Sequence, residues 1–492
     1  MFFSAKESLP AILAVLAALI LGLFAASRQT PAPEPPPAPG TVSEGLAFTL
    51  SADGESYTLA GIGSCTDTAI VVPALYEGKP VTAVGAQAFY KDTGLTGITL
   101  PDTVVSIGTD AFYGCTALEN VTFPDGLEEI GLRAFDRCSA LASVRLPSGL
   151  KQVGSWAFLN AGLRTVTIPA GLTEFHSGAF AGCPELTVME VEEGNPRFHS
   201  AGNCIIETAA KRLYAGCAAS VIPADGSVDC IGQFAFAYCP FAAFTMPDTV
   251  TVIEDEAFES CASLKEIRLS ESLRRIGIAA FRNSGLESIV LPDSLIDLGG
   301  SAFMSCRKLK DVWLNSGLEN IGRYAFEESG ITELFIPASV RTLTMPLFPN
   351  CAALETLTVE EGNLYYRSAG NCIIEKATST VIAGCKKSSI PADRSVSVIG
   401  ANAFSYCPGL TEIVIPEGIT EIGEEAFFGA SDLKKITLPL SLKVVNGAAF
   451  SDTEPESVTY MGTAKQWQDL VIMGFNEALT EAPITFHDDL IV

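Results

Sequence analysis

A phenylalanine returns every 22 or 23 residues along this chain. It stands at Phe89, Phe112, Phe135, Phe158 and Phe180, then at Phe236, Phe258, Phe281, Phe303, Phe326 and Phe348, and last at Phe404, Phe427 and Phe450. Almost every one follows an Ala, and eight stand three residues before a Cys: Cys115, Cys138, Cys183, Cys239, Cys261, Cys306, Cys351 and Cys407. A unit this short cannot bury its own apolar face and must bury it on the next unit. The period therefore specifies a repeat solenoid of about fourteen rungs.

Each period reads alike. A Leu-x-x-Ile-x-Leu-Pro segment, as at Leu95 to Pro101, Leu163 to Pro169, Leu286 to Pro292 and Leu410 to Pro416, alternates apolar residues and ends on a Pro that cannot donate to a ladder. That is a short strand closed by a turn. An Ile-Gly pair follows, at Ile107-Gly108, Ile130-Gly131, Ile276-Gly277, Ile321-Gly322 and Ile422-Gly423. We expect its Gly to make a tight bend and the Phe to fill the core. Strands one rung apart lie about 4.8 Å from each other, so the rungs predict a rod of roughly 70 Å or more.

Two gaps of 56 residues, Phe180 to Phe236 and Phe348 to Phe404, interrupt the period and carry the same insertion. Val191-Glu192-Glu193-Gly194-Asn195 returns as Val359 to Asn363, Ser200 to Glu207 returns as Ser368 to Glu375, and Ile222 to Asp225 returns as Ile390 to Asp393, all 168 residues later. The chain is thus two copies of a multi-rung module, with inserts near 190–225 and 358–393. Each insert reads as a hairpin, Asn203 to Glu207 against Leu213 to Cys217 in the first copy, joined to a further rung-like strand at Val221-Ile222-Pro223.

The Leu-x-x-Leu-x-Leu core, the Cys at fixed offset, the Ile-Gly-x-x-Ala-Phe-x-x-Cys run and the opening Val72 to Val81 resemble the BspA-like leucine-rich repeat family of bacterial cell-surface proteins. The resemblance covers nearly everything from about residue 47 onward. It implies the leucine-rich repeat form of solenoid, a right-handed superhelix of parallel strands. It also implies an exported protein presenting an extended repeat surface for adhesion or cell-surface interaction, with an extracellular protein or glycan as partner.

The duplication allows an internal comparison. On the exposed face of the strands, between the last two apolar positions, the first copy has Thr122, Arg145 and Thr167, and the second has Val290, Trp313 and Phe335, each 168 residues later. Three stacked rungs would place an apolar ridge where solvation favours polar residues, and aromatic anchors on such patches mark interaction sites. Val290, Trp313 and Phe335, with Arg268 on the preceding strand, are the candidate ligand-binding residues. The bland alternative is a neighbouring loop that covers them. Small polar residues on the same file, Thr99, Thr122, Thr167, Thr245, Thr358 and Thr437, favour a second functional reading: a structural cell-envelope component with no specific ligand.

The amino end bears on location. An apolar run over residues 9–26, followed by Arg28, is just long enough for a membrane span, with Ala25-Ala26-Ser27 as a small-residue cleavage site. We expect residues 1–28 to form an apolar helix that anchors the protein in the membrane or, cleaved, to leave it secreted. Either way the repeats are exported. Residues 29–44 form a linker. Its stretch Pro31 to Pro39 is extended polyproline, at about 3.1 Å per residue a spacer of roughly 28 Å. The solenoid then spans 45–455, and 456–492 departs from the period as a capping segment.

The net charge of −26 disfavours nucleic acid and anionic membrane surfaces as partners, leaving membrane contact to the amino-terminal segment. The 14 cysteines do not read as a disulfide framework. Those following the repeat Phe alternate with Ala, Ser, Thr or Asp, the mark of a small packing position. Cys204 with Cys217, and Cys372 with Cys385, are kept in both copies at a spacing of 13 and are candidates for a bridge across the insert hairpin. No His accompanies them, so no metal site is expected. The chain has three His, and the module replaces two of them, His176 and His199, by Thr344 and Arg367 in the second copy. No nucleophile elbow, metalloprotease helix, phosphate loop or dinucleotide fingerprint appears, and no enzyme or cofactor is expected.

Overall fold

The computed structural model of the chain describes residues 42–172 and 174–487. The expected apolar helix and the proline-rich stretch lie outside the described residues. Among the described residues no helix is long and apolar enough to cross a membrane.

Each period forms one turn of a β-solenoid, with two short strands and one tight turn. The Leu-x-x-Ile-x-Leu segment supplies the first strand, as at Gly97–Thr99, Asn120–Thr122, Ser288–Val290 and Asp311–Trp313. The Ile of the Ile-Gly pair supplies the second, as at Ser106–Ile107, Glu129–Ile130 and Arg275–Ile276. Both files stack in parallel. The long ladders run through the second file, in sheets of eight, nine and seven strands. The first file is broken into short stretches. In the second copy it is hydrogen-bonded across the 23-residue steps Thr245 to Arg268, Val290 to Trp313 and Phe335 to Thr358. At the 22-residue steps between these pairs the ladder lapses, where Gly285 and Gly330 mark a connection one residue shorter.

The glycine of the Ile-Gly pair leads directly into the turn, but not through a left-handed backbone. Gly108 and Gly131 are absent from the residues with positive φ. A Cβ on Gly131 would instead lie 2.9 Å from the carbonyl carbon of Gly108 on the rung below. Backbone contact between rungs, rather than φ, excludes a side chain there. The left-handed residues flank the Phe, two positions before and two after: Asp110 and Gly114 about Phe112, Arg133 and Arg137 about Phe135, Glu256 and Ser260 about Phe258. Most are not glycine. They are held there because alternate N–H groups of each turn donate to the next rung, Phe112 to Ala134 O at 2.8 Å and Phe135 to Ala157 O at 2.7 Å.

Inside this frame the Phe rings stack face to face. Phe89 through Phe180 form one column, Phe236 through Phe326 a second and Phe404 through Phe450 a third, with centroids 4.9–5.8 Å apart. The inserts separate the columns. Each is a three-stranded antiparallel meander, Phe198–Ala201, Cys204–Glu207 and Arg212–Ala215 in the first copy, so the third strand precedes the hairpin and the strand expected at Val221 to Pro223 is not formed. Gly202 and Asn203, both at φ 58, close its first turn, as a type I′ hairpin requires. Period-2 alternation makes the insert a septum. Ile205, Ala215 and Cys217 pack on the preceding core, while Cys204, Ile206 and Leu213 pack on the following one.

The candidate pairs are free thiols in this structure: Cys204 packs toward the following core and Cys217 toward the preceding one, and Cys372 and Cys385 divide in the same way. The repeat cysteines are buried, and six of the eight thiols donate to the Phe carbonyl of the preceding rung, among them Cys115 to Phe89 O at 3.0 Å and Cys306 to Phe281 O at 3.0 Å. Burial pushes Cys115 and Cys261 up to about 12. Twelve of the fourteen cysteines are buried, and only Cys65 and Cys230 are half-exposed. Alkylation of the native protein at pH 8 should therefore mark Cys65 first and spare the rest, with all fourteen labelled after denaturation without reductant. A pair that stays unlabelled until reduced would show a disulfide after all.

At the carboxyl end, Ser457–Tyr460 and Ile484–Phe486 extend the first file, and Thr463 caps the short helix Ala464–Gln468 in a capping box with Gln466. Trp467 packs edge-on against Tyr460.

Candidate recognition surface

The residues kept in both copies prove to be structural. Glu192 and Glu360 each accept the N–H of a residue on the neighbouring turn, Ala170 at 2.9 Å and Ala338 at 2.7 Å. Asn195 and Asn363 tie the insert to the rung before it through Pro169 O and Pro337 O, each at 3.0 Å, and accept from the first N–H groups of the insert strand. The hydroxyls of Ser200 and Ser368 accept from Val191 and Val359. The repeated Glu-Glu-Gly-Asn and Ser-Ala-Gly-Asn runs are thus the seams that attach an insert. Among the described residues no group of His, Cys, Asp or Glu gathers that could hold a metal ion.

The residues that differ between copies lie on the open face of the first strand file. Val290, Trp313 and Phe335 are 64%, 53% and 48% exposed, so no loop among the described residues covers them. Val290 sits in register opposite Trp313, and Phe335 stands on the next rung, opposite Thr358. The alternation that exposes them buries Ile289, Leu334 and Ile336 behind them, so the ridge stands on rigid backbone. Arg268 closes one end. Its guanidinium lies 3.4 Å from Asp248 and 3.3 Å from Met246 O, a surface pair that fixes its direction and adds little stability. Two residues earlier on the same strands, and so on the same face, Glu266, Asp311 and Glu333 are exposed. The surface is an apolar ridge beside an acidic file.

Two further apolar exposures were not foreseen. Val414 occupies the same file after the second insert, in a segment whose strand pattern was legible. Leu364 and Tyr365 are exposed at the start of the second insert, where the first copy has Pro196 and Arg197. The 168-residue offset, applied to the inserts as well as the strands, marks the latter pair.

A family model for the BspA type leucine-rich repeat region, in six copies, matches residues 78–201, 229–355 and 373–476, well over half of the chain. The chain belongs to the BspA-type leucine-rich repeat family. Solved structures similar to this BspA-type chain include a leucine-rich repeat protein from Bacteroides ovatus, at 23% identity over 91% of this chain and 99% of that one, TM-score 0.41. A leucine-rich cell surface protein from Faecalibacterium prausnitzii matches at 22% identity over 88% and 98%, TM-score 0.32. The pneumococcal vaccine antigen PcpA matches at 18% identity over 91% and 98%, TM-score 0.38. No curated protein matches the sequence.

Proposed function

We propose that this BspA-type chain is an exported, cell-surface binding protein that holds an extracellular protein or glycan on the strand face of its second module. The observation that carries the reading is the ridge: Val290, Trp313 and Phe335 are exposed in successive rungs where the first copy has Thr122, Arg145 and Thr167. Exposing three large apolar side chains in a row has no structural benefit, since the first copy builds the same rungs without them. Aromatic residues on a rigid face are favoured anchors, and the adjoining Glu266, Asp311 and Glu333 suit a partner with a basic rim. Export is supported by the apolar run over residues 9–26, and the cell-surface description of the Faecalibacterium neighbour points the same way. Solenoids act through extended surfaces, which supports binding rather than catalysis.

The protein, presented to an array of host proteins, bacterial surfaces and glycans, should show saturable binding to at least one. Trp313→Ala with Phe335→Ala should weaken that binding about 1000-fold, since two central aromatic anchors carry about 2 kcal/mol or more each. The melting temperature should stay close to that of the parent protein. Binding that survives the double substitution would remove the ridge from the reading. A uniform absence of saturable binding would favour the structural-component reading, which the threonine file supports.

A further inference from the structure

The duplication also exposes a second site, on the Phe-turn side of the solenoid rather than the strand face. Where the first insert ends, the first copy fills the space beside the turn with its own side chains. Trp156 packs against Phe234 with centroids 4.5 Å apart and against Tyr238 at 6.5 Å, and its ring lies where a side chain on Gly178 would stand. The second copy, 168 residues on, has Tyr324, Asn402 and Tyr406 in place of Trp156, Phe234 and Tyr238, and Pro346 in place of Gly178. With Phe234 replaced by Asn402 the filling is gone, and a cavity of ≈ 220 Å³ opens. Tyr324, Tyr406 and Phe428 supply aromatic walls, with Tyr406 and Phe428 edge to face at 5.2 Å. Glu327 and Glu425 add two carboxylates, and among the described residues no Lys or Arg lines the space.

The geometry points to a binding site for a small organic cation, an alkylammonium group held against Tyr324, Tyr406 and Phe428 with Glu327 and Glu425 as counter-charges. Aromatic faces attract cations through the ring quadrupole, most strongly where water is excluded. The Tyr324 ring already draws one, the guanidinium of Arg323 at 4.6 Å from its centroid, but Arg323 does not line the cavity. Partial burial and the neighbouring Glu328 push the Glu327 carboxyl up, a cost that a bound cation relieves. A neutral sugar would use the rings but bring no charge to the two carboxylates. An anion would be repelled.

Titration of the protein with tetramethylammonium, followed by ligand-detected NMR, should show saturable binding. The neutral isostere 2,2-dimethylpropanol should bind at least about ten-fold more weakly. A lysine-containing peptide run in parallel distinguishes a free ammonium from one carried on a protein, and preference for either names the source. Tyr406→Ala and Glu327→Gln should each weaken tetramethylammonium binding, the former about ten-fold or more. Asn402→Phe, which restores the residue of the first copy, should abolish it with the thermal transition retained. Equal binding of the neutral isostere would overturn the site, and so would undiminished binding in both Asn402→Phe and Tyr406→Ala. These outcomes are independent of Trp313 and Phe335, so the recognition ridge and this cavity stand or fall separately.

Discussion

Phe281→Ala should destabilise the protein by about 3–5 kcal/mol, whereas Phe335→Ala should cost less than about 1 kcal/mol. The chemical change is the same and the two residues lie in the same run of rungs, but their surroundings differ completely. Phe281 is fully buried and stacks between Phe258 and Phe303, at 5.2 and 5.5 Å. Truncation removes its transfer free energy and leaves a cavity whose walls are two rigid rings and the backbone of adjacent rungs, which cannot collapse into it. Phe335 is about half exposed and loses little on truncation. Denaturant unfolding of the two variants decides the matter. Similar losses for both would mean that the Phe column does not carry the core.

The second large effect is expected at Gly384, the septum glycine of the second insert. A Cβ there would stand closer to the Phe404 ring than any real contact allows, and Gly216 stands in the same relation to Phe236. The N–H of Gly384 donates to Ala403 O at 2.9 Å, so the insert strand takes the place of a turn in the stack and the Phe404 ring lies against its bare backbone. Gly384→Val must displace either the strand or the ring, and Phe404 is already stacked on Phe427 at 5.0 Å. Overpacking of this kind costs about 1–3 kcal/mol or more. In a linear array the loss falls on one interface between neighbours. The expected result is a thermal unfolding profile that splits in two, with the block after the second insert melting first, and protease cleavage near residues 376–389. A single transition lowered as a whole would show that the septum does not divide the array. Gly474→Ala, where nothing lies within 4 Å, is the control.

Fold and repeat boundaries were legible because the solenoid is quasi-one-dimensional. Every rung meets the same two neighbours, so each position carries the same physical demand in every repeat and the demand is written as a period. The apolar places of Leu-x-x-Ile-x-Leu are buried, and the ridge residues Val290, Trp313 and Phe335 are exposed, as alternation on a strand requires. The inserts were legible as repeats, but their third strand was expected at Val221 to Pro223 and lies instead at Phe198–Ala201, where pairing runs through backbone groups that leave no mark in side-chain pattern.

What the sequence determined by itself is the stacking period, the duplication and the face on which the two copies differ, because these rest on local alternation and on spacing. Tertiary structure alone decided three things. It placed the left-handed residues beside each Phe, where hydrogen bonds between rungs hold Arg133 or Glu256 in conformations their side chains do not favour. It turned Cys204 toward the following core and Cys217 toward the preceding one, because an antiparallel insert is wedged between two cores. It also opened a cavity at Asn402, because a void depends on side chains from rungs that the chain brings together only by skipping an insert.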